Sequence, residues 1–317
     1  MALPQRPAMT VDPTVDLGPI SLSTPLVAAS GTVGSVWEFA GLVDVSSYGA
    51  LVAKSVSEEP WPGRPPPRLA PAGLGMLNRI GIQNPGIEAW QRETAPRLGR
   101  ISAPVWGSAV GKEPAEFGRV AAGLEKAGVA AVEVNLSCPN LEDGRMFSLD
   151  PAATRDVVRE VVAATSLPVG AKLTPNSEDI VAVAQAAIEA GASWLTLTNT
   201  VWGGGIDIET REPLVSGMVG GYSGPPIKPI AIRCVLEVAQ ALPGVPILGC
   251  GGIVSGKDVV EYLLAGASTV AIGTIHFAEP RAASRILAEL IEWCESRGVS
   301  RVSELTGGAL QKAGSYA

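Results

Sequence analysis

The sequence is poor in the residues from which most metal and disulfide sites are built. Its 317 residues include one histidine, His276, and four cysteines, Cys138, Cys234, Cys250 and Cys294. The cysteines lie far apart and form no Cys-x-x-Cys pair. That spacing argues against a disulfide framework, a zinc site or an iron–sulfur cluster held by this chain. A single histidine excludes a site of several imidazole ligands, so acid–base work must fall to Cys, Lys or carboxylates. His276 itself follows an apolar run and reads first as a structural residue. No stretch of about 18 uninterrupted apolar residues occurs, and no basic region precedes an apolar stretch near the N-terminus; neither a membrane span nor a signal peptide is expected, and a cytoplasmic location is. Basic charge is also in deficit. Against 31 Asp and Glu there are 24 Lys and Arg, a net charge of −7, so no footprint for nucleic acid or an anionic membrane is present. Small-molecule chemistry is the expectation that remains.

What is there is a regular alternation. Apolar runs of strand length recur at residues 25–29, 50–54, 104–110, 130–136, 168–173, 194–198, 246–249 and 269–273. Amphipathic segments fall near 35–47, 86–100, 113–127, 151–165, 177–190, 227–242, 256–265 and 280–297. Strands apolar on both faces suit a parallel sheet covered by helices. Eight such units predict an α/β fold of the (β/α)₈ TIM-barrel type, as one domain over residues 1–317, with a doubly wound open sheet as the alternative. Three helix ends share the pair Ala-Gly, at Ala127-Gly128, Ala190-Gly191 and Ala265-Gly266, where glycine can take the left-handed conformation that closes a helix. Two connections exceed ordinary β/α loops. Residues 57–85 are rich in Pro and Gly, and residues 201–226 contain Gly203-Gly204-Gly205 and Gly220-Gly221. Following strands two and six, they read as insertions covering an active site, against the plainer reading of tolerated surface loops.

Polar residues stand at the ends of these strands in turn, the way a barrel gathers one site from distant sequence. The most informative stretch is Asn135-Leu136-Ser137-Cys138-Pro139-Asn140, directly after the fourth apolar run. It places a thiol, the one strong nucleophile or soft base of the loop, between two amides that can donate and accept hydrogen bonds. Its plain alternative is a small buried hydrophobe. Glycines at Gly251, Gly252 and Gly273, with Thr274, follow strands seven and eight, where backbone N–H groups commonly meet phosphate, though tight turns alone would also use them. Lys54 and Lys172 each end an apolar strand and must either reach solvent or meet an anion; an ordinary salt bridge satisfies the same requirement.

The ordered set Ala29-Ser30-Gly31-Thr32, Lys54-Ser55, Met76 to Gly86, Asn135 to Asn140, Lys172, Asn199-Thr200, Ser223-Gly224, Gly251-Gly252 and Gly273-Thr274 resembles the class 1 dihydroorotate dehydrogenases. Within them it is most similar to the catalytic subunit of the class 1B, NAD-linked enzymes, over nearly the whole chain. The resemblance implies an FMN-containing barrel that oxidises (S)-dihydroorotate to orotate in de novo pyrimidine synthesis. It implies Cys138 as the base for the C5 proton, with hydride leaving C6 for the flavin. It further implies substrate contacts from Lys54, Asn78, Arg79, Ile80, Gly81, Ile82, Asn135, Asn140, Asn199 and Thr200. FMN contacts would come from Ser30, Gly31, Lys54, Ser55, Ser108, Asn135, Lys172, Thr198, Gly224, Gly251, Gly252, Gly273 and Thr274. A partner subunit carrying FAD and a 2Fe-2S cluster, in a homodimer or heterotetramer, would pass electrons to NAD. Three positions depart from the family pattern. Ser108 stands where Asn is usual, Arg79 where a small residue is common, and Trp202 with Gly203-Gly204-Gly205 departs from the bulky residues usual after the sixth strand. Fumarate as direct acceptor, a different dihydropyrimidine as substrate, and a non-catalytic flavin-binding subunit are the alternatives; retention of Cys138 and both lysines weighs against the last.

Overall fold

The computed structural model describes residues 11–137 and 146–313. Eight short parallel strands close into a barrel in chain order: β1 (Leu26–Ala28), β2 (Ala50–Val52), β3 (Val105–Ala109), β4 (Ala131–Asn135), β5 (Val169–Leu173), β6 (Trp194–Leu197), β7 (Ile247–Cys250) and β8 (Thr269–Ile272). Closure is made where β8 pairs β1, with Val270 opposite Leu26, so the open-sheet alternative is excluded. All residues of these strands are buried except Asn135, which is only partly so. This double burial is why each strand reads as an unbroken apolar run.

Inside the barrel, strand alternation stacks side chains in layers. Trp106 and Trp194, both without exposed surface, fill a lower layer with ring centroids 5.0 Å apart. Gly170, opposite Trp194 in the register, provides the space, because a Cβ there would lie 1.9 Å from the indole. Glu133 and Thr196 occupy the next level, and Asn135 and Lys172 reach the mouth. The opposite end is closed by a hairpin, Val15–Leu17 with Ile20–Leu22, that the periodicity did not indicate. Its turn residue Gly18 has φ +60° and packs on the Ser193 carbonyl and Pro246, immediately before β6 and β7.

Two helical segments are shorter than expected. Residues 35–47 hold only the helix Trp37–Ala40. After Gly41, the Asp44 carboxylate accepts from the Ser46 N–H and hydroxyl (2.9 and 2.8 Å), a local turn that competes with helix. Residues 86–100 split into Ile87–Glu93 and Ala95–Leu98, and Pro96, which has no N–H to continue a helical ladder, stands in the first turn of the second piece. The Ala-Gly helix ends behave as expected, with Gly128, Gly191 and Gly266 at φ +86°, +105° and +117°.

The two long insertions are not independent loops. Leu69–Ala72 and Gly75–Asn78 from the first combine with Val201–Gly203 and Gly220–Ser223 from the second in one antiparallel four-stranded sheet. Glycine allows the close approach: a Cβ on Gly221 would lie 2.3 Å from the Thr200 hydroxyl. Tyr222 Oη donates to the Ala72 carbonyl at 3.0 Å and Asn78 Nδ2 to the Gly221 carbonyl at 3.1 Å, tying the insertions side chain to backbone. Among the described residues no helix is long and apolar enough to cross a membrane.

Candidate active site at the barrel mouth

A cavity of about 320 Å³ lies between the C-terminal ends of the strands and the antiparallel sheet. Every strand except β3 sends residues to it. Ser30 and Gly31 follow β1, Lys54 and Ser55 follow β2, and Asn135 ends β4. Lys172 comes from β5, Thr198, Asn199 and Thr200 from the β6 end, Gly251 and Gly252 from the β7 end, and Gly273 and Thr274 from the β8 end. The cover contributes Asn78, Ile80, Ile82 and Gly224.

Three of the expected residues are not on the wall. Ser108 on β3 is fully buried behind it, its hydroxyl 2.9 Å from Ser55 Oγ. Asn135 Nδ2 donates to the same Ser55 oxygen at 3.0 Å, so Ser108 acts through Ser55 and through it on Asn135. Arg79 turns away: its guanidinium donates to the Val219 carbonyl and packs over Gly217, where a Cβ would lie 2.6 Å from Cζ. It joins the two insertions to each other and does not enter the cavity. Gly81 makes the turn beneath it at φ +71° against Arg64. Cys138 and Asn140 lie outside the described residues. The chain just before them is held: Asn199 Nδ2 donates to the Ser137 hydroxyl at 2.9 Å and its carbonyl at 3.3 Å.

Ile82, expected at the site, lines the cavity at φ +59°, a conformation that β-branched residues rarely adopt. Asn84, which was not among the expected site residues, holds that segment. Its Nδ2 donates to the Ile82 carbonyl (2.8 Å), and its Oδ1 accepts from the Ser57 and Gly86 N–H groups (3.1 and 2.9 Å). The peptide Asn84-Pro85-Gly86 was visible as a motif, but nothing local revealed that its amide serves Ile82.

Electrostatically the floor is dominated by Lys172, 6% exposed, whose Nζ lies 3.8 Å from Glu133 Oε1. Burial alone lowers the affinity of this amine for its proton, but the charge of Glu133 more than offsets it and holds Lys172 above the usual lysine range. Burial likewise pushes the Cys250 thiol up. Thr198 contributes a buried hydroxyl with no hydrogen-bond partner among the described residues. His276 is structural, as expected. The Thr32 hydroxyl donates to the Ala29 carbonyl (2.8 Å) and therefore accepts from His276 Nδ1 (2.9 Å), while Tyr48 Oη donates to Nε2 (2.8 Å).

Residues 14–293 match the family model described as dihydroorotate dehydrogenase. The chain belongs to the dihydroorotate dehydrogenase family. A relative from Desulforudis audaxviator, "Dihydroorotate dehydrogenase B (NAD(+)), catalytic subunit", is 43% identical over 308 residues, spanning 96% of this chain and 100% of the relative. A protein of the same description from Pelobacter propionicus is 44% identical over 301 residues, 94% and 99% of the two chains. Among solved structures, a DHODH from Eimeria tenella in complex with ferulenol superposes with a TM-score of 0.79 at 20% identity, covering 94% of this chain and 88% of that one. At that identity the likeness speaks for the barrel alone. Family membership makes this chain an oxidoreductase, and it agrees with the architecture reached from strand periodicity.

Proposed function

We propose that this chain is a single FMN-binding barrel domain that oxidises (S)-dihydroorotate to orotate in de novo pyrimidine synthesis. The observation that carries the reading is the convergence on one cavity of two lysines, three amide side chains and two glycine turns from six different strand ends and the cover. The wall suits FMN. The Thr198 hydroxyl, without a partner among the described residues, and the Lys172 ammonium offer polar groups to an oxygen- and nitrogen-rich ring. Gly224, Gly251 and Gly252, at φ +98°, +141° and +70°, leave backbone exposed where side chains would stand. In this reading Ser30, Gly31, Lys54, Ser55, Asn135, Lys172, Thr198 and the glycine turns, with Thr274, hold the cofactor, and Ser108 supports Ser55. FMN, when bound, supplies the acceptor for the hydride leaving C6 of the substrate.

The remaining roles belong to the chain. Lys54, Asn78, Asn135, Asn199 and Thr200 offer donors to the carboxylate and ring carbonyls of dihydroorotate, with Ile80 and Ile82 as apolar walls and Asn140 as a further donor. Cys138, as thiolate, removes the C5 proton. Arg79 and Gly81 shape the cover and do not touch the substrate. A partner with FAD and a 2Fe-2S cluster carries electrons on to NAD within a homodimer or heterotetramer, since the four cysteines of this chain are too scattered to ligate a cluster. A cytoplasmic location goes with this reading. The test is anaerobic mixing of the purified, FMN-loaded protein with dihydroorotate: the visible flavin band should bleach within the mixing experiment. A band unchanged by dihydroorotate but bleached by dithionite overturns the reading.

A further inference from the structure

Beneath the cavity floor lies a charged group that neither the substrate contacts nor the cofactor contacts use. Glu133 on β4 is 1% exposed, inside the barrel, two residues before Asn135. Its Oε2 accepts a hydrogen bond from Thr196 Oγ1 at 2.8 Å. Its Oε1 has no hydrogen-bond partner among the described residues and faces Lys172 Nζ at 3.8 Å. The strand register explains the arrangement. Glu133 stands opposite Gly170, which has no side chain to separate it from Lys172 two residues on, and Thr196 stands beside Lys172 on the other flank. Below them the Trp106 and Trp194 pair closes the barrel interior.

A carboxylate buried in the barrel interior is costly unless a cation compensates it, and a buried ammonium is costly unless an anion does. Lys172 is the residue of this pair that reaches the cavity, and 3.8 Å is longer than a hydrogen bond. The carboxylate therefore supplies charge without capping the N–H donors of the ammonium. We propose that Glu133, oriented by Thr196, is a positioning residue that keeps Lys172 protonated on the cavity floor so that its donors remain available to the bound flavin. The inference rests on the proposed FMN site. Among the described residues, the charged and titratable groups facing Lys172 are Glu133 from β4 and Cys250 from β7. Lys54 lines the same cavity from the β2 end. With Glu133 neutralised, burial acts on Lys172 with little opposition, and buried lysines can lose their proton near neutral pH.

The experiment is FMN binding to apoprotein by fluorescence quenching from pH 7 to 9. In the wild type the dissociation constant should change less than about twofold; in Glu133→Gln it should weaken by about fivefold or more across that range as Lys172 deprotonates. The double variant Glu133→Gln with Lys172→Met should bind weakly and without that pH dependence. A fold-filling role alone predicts a pH-independent change in Glu133→Gln, and that result overturns the proposal, as does a transition that persists in the double variant. Carbon-13 lysine NMR of the wild-type protein reads the same state without any variant. The Lys172 side-chain resonance, assigned by Lys172→Met, should keep its ammonium shift throughout, and deprotonation below pH 9 overturns the proposal. If the wild-type protein binds no FMN at all, the cofactor reading fails instead, which separates the two outcomes.

Discussion

Tyr48, before β2, and His276, after β8, are joined by a buried hydrogen bond, Oη to Nε2 at 2.8 Å, that requires the imidazole to be neutral. The opposite ring nitrogen is occupied by Thr32, so a second proton on the ring would face the Tyr48 hydroxyl in an apolar pocket beside Phe39. Burial accordingly lowers the His276 pKa from 6.5 to about 4. Between these values the unfolded chain binds more protons than the folded one, so stability should be full above about pH 6.5 and fall as pH drops toward 4. The loss available from this group is about 3 kcal/mol. Urea denaturation at pH 7.5 and pH 4.5 should show the difference, and His276→Gln should flatten it; an unchanged pH slope in the variant would rule out His276 as its source.

Cys138→Ser should lower turnover of dihydroorotate by about 100-fold or more, because a hydroxyl is a far weaker base than a thiolate near neutral pH. FMN content should remain that of the parent protein. Steady-state kinetics with a dye acceptor, with flavin quantified after denaturation, measures both. Near-normal turnover would remove Cys138 from the acid–base role.

Gly252 has φ +70°, and a Cβ there would lie 2.9 Å from the Gly224 carbonyl and 2.9 Å from Lys228 Cβ. Gly252→Ala should therefore lose about 1 to 3 kcal/mol of stability or shift the turn that lines the cavity. Either response weakens FMN binding about tenfold or more if the turn holds the phosphate. Thermal unfolding and FMN titration together report which response occurs; a variant unaltered in both would refute the account of this turn.

Gly170→Ala tests the packing under the floor. A methyl group 1.9 Å from the Trp194 indole cannot be accepted without moving that ring, which has no exposed surface in which to relax. The expected cost is about 3 kcal/mol or more. Trp194→Phe should restore part of it when combined with Gly170→Ala, since a smaller ring vacates the contested space. Equal stabilities of the single and double variants would contradict the clash.

Purified alone, the FMN-loaded chain should pass electrons from dihydroorotate to an artificial dye but not to NAD. Adding a partner that carries FAD and a 2Fe-2S cluster should restore NAD reduction. Fumarate reduction by the isolated chain at a rate matching the dye would instead make fumarate the direct acceptor.

The barrel was legible because its signals are local. A parallel strand buried on both faces must be apolar throughout, as Val105–Ala109 and Ile247–Cys250 are, and a helix that ends in Ala-Gly carries its own stop. The polar strand ends were legible for the same reason, and most of them meet on one cavity wall. The departures come from partners remote in sequence. The family resemblance put Ser108 on the wall, but its hydroxyl is absorbed by Ser55, 53 residues earlier. Arg79 was expected beside the substrate, but its partner carbonyl, Val219, lies 140 residues later.

The amino-acid order by itself determined the eight strand–helix units, their turns and the set of polar groups delivered to one end of the barrel. Each of these depends on periodicity, capping and chain stiffness over a few residues. Tertiary structure alone decided that two insertions more than a hundred residues apart form a single antiparallel cover, with Asn78 and Gly221 in register. It alone decided that Glu133, one acidic residue in an apolar strand, lies under Lys172. Register and burial are properties of which surfaces meet on closure of the barrel, and a buried charge is tolerated only where closure brings its counter-charge within reach.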